Sequence, residues 1–139
     1  MLADIVITTQ AQLEEAWHDL MGPWSFGRHS LWLLVIADDR PVPHLTEIEL
    51  DADPPGAEDL DGMAQVLDML AEDLGPDIRV AFLRSRPGID TITATDRAWA
   101  SSLYAAARRA RVSCEVVHLA TRGSVRPIPA DVVGIRSSA

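Results

Sequence analysis

Residues 79–119 read RVAFLRSRPGIDTITATDRAWASSLYAAARRARVSCEVVHL, and the order of signals along this stretch decides the fold. Val80, Ala81, Phe82 and Leu83 make a short, nearly continuous apolar run, which fits a strand buried on both faces. Pro87-Gly88 ends it, because proline fixes φ and removes a donor while glycine tolerates positive φ. Thr93-x-x-Asp96 then has the form of a helix start, with Thr93 or Thr95 as the cap and an acid in the first turn. Trp99, Leu103, Ala106, Ala107 and Ala110 recur at helical spacing, and Arg108, Arg109 and Arg111 fall where positive charge suits the helix dipole. Val112, Cys114, Val116, Val117 and Leu119 predict one more strand, which a helical crossover would lay beside or near the first.

Working outward, Thr9-x-x-Gln12 is a capping-box pattern, with Leu13, Ala16, Trp17 and Leu20 at helical spacing behind it. Ile5-Val6-Ile7 before it reads as a short edge strand. Leu31–Ala37 is the clearest strand. Asp38-Asp39-Arg40-Pro41 is a turn, and Val42–Leu50 returns as the second arm of a hairpin. A helix follows over 58–74, with Leu60, Met63, Val66, Leu67, Leu70 and Leu74 as its stripe, and Gly75-Pro76 stops it. Val125–Pro129 reads as an edge strand because its prolines cannot donate within a sheet centre. A short turn at Asp131–Val133 and a frayed end from Ile135 close the chain. The expectation is one α/β domain over residues 1–139, in the order β-α-β-β-α-β-α-β-β. It is a three-layer-like sandwich with a mixed sheet flanked by helices.

Composition sets bounds on function. An apolar content of 47% suffices for a packed core, and no segment has the length of a membrane span. Met1-Leu2-Ala3-Asp4 brings an acid where a signal peptide would be basic and then apolar, and Cys114 has no second cysteine to pair with; both predict a reducing cytoplasm. The net charge of −9 is uneven: residues 1–78 hold 17 acids and 2 arginines, residues 79–139 hold 4 acids and 10 arginines. Two readings of that asymmetry stay open: solvated faces that attract one another, and a basic patch for an anionic partner. In the second, Arg84, Arg86, Arg97, Arg108, Arg109 and Arg111, with Arg122 and Arg126, would meet phosphate or nucleic acid. His29 and His44 are isolated, and the acids from Asp51 to Asp61 lack the glycine and terminal glutamate of an EF-hand loop.

The central stretch also resembles the RadC-like branch of the JAB/MPN metalloprotease-like domains, and with them a cytidine-deaminase-like plan. That family carries H-x-H-P-S-G at the end of a strand, S-x-x-D at the start of a helix and D-H in the next strand. This chain carries Arg84-Ser85-Arg86-Pro87-Gly88, Thr93-x-x-Asp96 and Val117-His118-Leu119. The resemblance implies that Arg84, Ser85, Arg86, Thr93, Asp96 and His118 converge on the former metal position. It also implies that the zinc histidines have become Arg84 and Arg86, while the general-base glutamate position falls near Ser30. Arginine stays protonated and offers no lone pair, so it does not bind zinc. The expectation is a domain without metal or other cofactor, a non-catalytic binding or scaffold module that forms a homodimer or meets a protein partner. In it Arg84 and Arg86 either pair with Asp96 or stay exposed to bind an anion. No nucleophile elbow, P-loop or dinucleotide-binding glycine pattern is present.

Overall fold

The computed structural model describes residues 6–21, 28–50, 53–122 and 124–130. Along them run helix α1 (Gln10–Met21), strands β1 (Ser30–Ala37) and β2 (Arg40–Glu49), and helix α2 (Ala57–Leu74). Strand β3 (Arg79–Ser85), helix α3 (Ala94–Ala110) and strands β4 (Ser113–Cys114), β5 (Val117–Thr121) and β6 (Ser124–Ile128) follow. The strands form one mixed sheet ordered β2-β1-β3-β5-β6, with β4 also paired to β3. β1 runs antiparallel to β2 and β3, whereas β3 runs parallel to β4 and β5. The expected turn at Asp131–Val133 and the frayed end lie outside the described residues.

Period-two alternation along the two central strands divides the core. Leu31, Leu33, Val35, Val80 and Phe82 pack with α2 and α3 through Met63, Leu67, Leu103 and Ala107. Trp32, Leu34, Ile36, Ala81 and Leu83 pack on the opposite face with Leu13, Ala16 and Trp17 of α1. β3 is therefore buried on both faces, as its unbroken apolar run requires, and the architecture is a three-layer α/β sandwich. The β1–β2 hairpin turns on Asp38 and Asp39, both at positive φ (54° and 64°), the geometry that matches strand twist in two-residue loops.

Two sequence expectations change. Val6 and Ile7 do not form a strand: Ile7 donates its N–H to Asp39 O (2.7 Å) and accepts from Arg79 Nη2 (2.7 Å), so a single buried residue is pinned by a turn and a side chain. Ile5 lies outside the described residues. The single strand expected over 112–119 is broken. β4 pairs Ser113 with Arg79 and Cys114 with Val80; β5 pairs His118 with Leu83, so one extra residue sits in the break at Glu115 and Val116. Tyr104 of α3 closes this gap, its hydroxyl accepting from Val117 N and donating to Ile128 O (both 2.8 Å).

Candidate functional site

The end of β3 and the start of α3 meet in a buried cluster of charge. Thr93 wins over Thr95 as the helix cap: its hydroxyl accepts from Asp96 N (3.1 Å), and Asp96 Oδ2 accepts from Thr93 N (2.8 Å). That reciprocal box turns the Asp96 carboxylate inward, where it is 0% exposed. Arg86 Nε and Nη2 grip it side-on at 2.8 and 2.7 Å, and Arg84 Nε adds a third guanidinium contact at 2.8 Å. Each Asp96 oxygen thus accepts two hydrogen bonds, which fills its usual capacity. Burial alone would raise the Asp96 pKa. The hydrogen bonds from Arg86, Thr93 and Arg84 outweigh it and hold the carboxyl far below the ordinary carboxylate range.

The two arginines are used differently. Arg86, 7% exposed, directs the rest of its donors at the loop after β3: Nη1 at the carbonyls of Pro87 (3.0 Å) and Ile89 (2.9 Å), Nη2 at that of Thr91 (2.9 Å). Gly88, at φ +98°, lets the loop curl around this guanidinium, with the space for a Cβ bounded by Arg86 Nη1 at 3.4 Å. All five Arg86 N–H donors are matched, and its pKa is raised chiefly by the Asp96 hydrogen bond. Arg84 is 1% exposed and beyond Asp96 makes one long contact, Nη2 to His29 Nδ1 at 3.5 Å. Its Nη1 has no hydrogen-bond partner among the described residues.

Of the six positions expected to converge, Arg84, Arg86, Thr93 and Asp96 do, on the α3 face of the sheet. Ser85 and His118 do not. Ser85 alternates to the α1 face, where its hydroxyl accepts from Trp32 Nε1 (2.9 Å). His118, 0% exposed, also faces α1, with Nε2 at 3.2 Å from Glu14. Without the extra residue in the β4–β5 break, His118 would share the face of Cys114 and Val80; the insertion flips it. The strand-start residue that joins the cluster is His29, one position before Ser30, whose hydroxyl bonds Glu47 instead (2.7 Å).

The arginines expected to form an anion-binding face are dispersed. Arg97 near the start of α3 donates to Ile92 O (3.2 Å), while Arg108, Arg109 and Arg111 stand at the other end, roughly 16 Å along the axis. Arg109 is paired with Asp61 of α2, and Arg126 donates to Asp90 O (3.0 Å). Arg108, Arg111 and Arg122 are exposed. Burial pushes the Cys114 thiol up to about 12, which removes it as a nucleophile at neutral pH. A hollow of about 340 Å³ by Trp99 is lined by Glu49, Asp53 and Asp59, yet among the described residues no three His, Cys, Asp or Glu side chains gather as a metal set. No described helix is long and apolar enough to cross a membrane.

The burial of His118 gives a pH dependence. Burial depresses the His118 pKa below 6.5, with Glu14 opposing the shift. The unfolded chain then binds the proton more readily, so stability falls as pH drops below 6.5 and levels off once the folded-state pKa is passed. Urea unfolding across that range is expected to show this slope in the native chain and a shallower one in His118→Gln. Equal slopes would remove His118 as the cause.

No protein-family model matches the chain, and no curated protein does so.

Proposed function

We propose that the chain is a metal-free, non-catalytic binding or scaffold domain built on the plan of the RadC-like JAB/MPN proteins, with a second copy or another protein as its partner. One observation carries the reading. The residues standing at the resembled metal position, Arg84, Arg86 and Asp96, meet in space and close on one another as a buried ion-pair cluster. Asp96 keeps no free lone pair for an ion, and the guanidiniums occupy the room and the charge role of a cation. The order of motifs supports the same reading: Arg84 near the end of β3 and Arg86 just past it, a Thr-x-x-Asp box opening α3, and β5 returning parallel beside β3.

The test is metal content and chelator response of the full chain, purified without metal-affinity steps. The expected result is far less than one zinc per chain and a melting temperature unchanged by chelator. Stoichiometric zinc, together with a melting temperature that chelator lowers, would overturn the reading.

A further inference from the structure

The cluster holds two guanidinium groups and one carboxylate, so it buries one more positive charge than negative. Asp96 is saturated and cannot answer the excess, and among the described residues no other carboxylate pairs with Arg84. Buried donors are nearly always bonded, and a buried charge lacking its counter-charge is costly. Arg86, on the same side of the same strand end, obeys the rule with all five donors; Arg84 departs from it at Nη1 and nearly so at Nη2.

The departure has a shape. Asp96 takes Arg84 at Nε, which leaves the Nη1–Nη2 edge as a fork with no bond at Nη1 and only the long His29 contact at Nη2. Such a fork fits two oxygens of one planar or tetrahedral oxyanion, a match that a spherical ion lacks. The group bordering it is His29, half-buried at the entry to β1. Its contact with Arg84 is long, at 3.5 Å, so an oxygen arriving at Nη2 costs Arg84 one weak bond. We propose that the Nη1–Nη2 edge of Arg84, with His29 beside it, is the binding site for a small oxyanion, a carboxylate or a phosphate group. The surplus charge is then the recognition element, and the cluster is stabilised by its ligand.

Thermal unfolding of the full chain in sodium formate, sodium phosphate or sodium chloride at matched ionic strength tests this. Formate or phosphate is expected to raise the melting temperature by about 5 °C near saturation, with chloride leaving it unchanged. The larger of the two rises identifies the ligand as carboxylate or phosphate. Arg84→Met is expected to abolish the rise, and Arg84→Lys, which keeps the charge but loses the fork, to abolish it too. A flat response of the native chain to both oxyanions overturns the proposal. So does a rise in chloride equal to theirs, or a full response in either variant. The inference rests on reading the cluster as metal-free, and the two fail apart: stoichiometric zinc defeats that reading, whereas a flat anion response in zinc-free protein defeats this one alone.

Discussion

Asp96→Asn is expected to destabilise the chain by about 4 kcal/mol, a large share of the roughly 5–15 kcal/mol typical of a domain. The substitution keeps the side chain's shape and removes its charge. Two guanidiniums then stand buried without a counter-ion, and the new amide group points donors at donors. The capping box weakens as well, because the side chain no longer offers Thr93 N a charged acceptor. Urea unfolding at neutral pH measures the loss, and a value under about 1 kcal/mol would show that the cluster contributes little. Combining Arg84→Met with Asp96→Asn should recover part of it, since the uncompensated charge falls from two to one. The acid limb gives a second readout. The Asp96 carboxyl is depressed, so its contribution is complete above its ordinary value of 3.8 and is lost as pH falls toward the folded-state pKa. Below 3.8 the native chain should lose stability more steeply than Asp96→Asn does.

How far the sequence revealed this depends on which signal each residue left. The central strands were legible because Leu31–Ala37 is apolar throughout and β3 carries the unbroken run Val80–Leu83, the mark of strands covered on both sides. The charge cluster was legible in part because Thr93 and Asp96 stand at capping-box spacing, and Arg84 and Arg86, two apart where β3 ends and its extended direction continues, share a face. That same period of two places Ser85 on the other face, so its absence from the site follows from the rule that groups the arginines. His118 was not legible. Its face depends on one residue inserted at Glu115 and Val116, and the sequence of 112–119 does not announce a bulge. His29 was hidden for a related reason: a one-residue offset in counting back along β1 exchanges the α3 face for the α1 face, and so exchanges His29 for Ser30. The direction of the Arg84 fork is a tertiary fact, fixed by which nitrogen Asp96 takes.

The two arginines, chemically identical and two residues apart, are expected to respond to substitution unequally. Arg86→Met should cost about 3 kcal/mol. It removes the side-on grip on Asp96 and frees the carbonyls of Pro87, Ile89 and Thr91, so the loop that leads into α3 loses the group it is wound around. Arg86→Lys should recover only part of this, because an ammonium has three donors where five are in use. Arg84→Met should leave stability within about 1 kcal/mol of the native chain, and raising it is the more informative outcome. The change deletes one hydrogen bond to Asp96 and also deletes the surplus charge. What remains is the one-to-one Arg86–Asp96 pair, and a methionine of similar reach fills the apolar volume. Chemical denaturation of the three variants beside the native chain decides the matter. Equal losses for Arg84→Met and Arg86→Met would make the cluster a symmetric structural lock. A small or negative cost at Arg84 alone would mean that a buried cation is kept at the expense of stability, as expected where a side chain serves a ligand and not the fold.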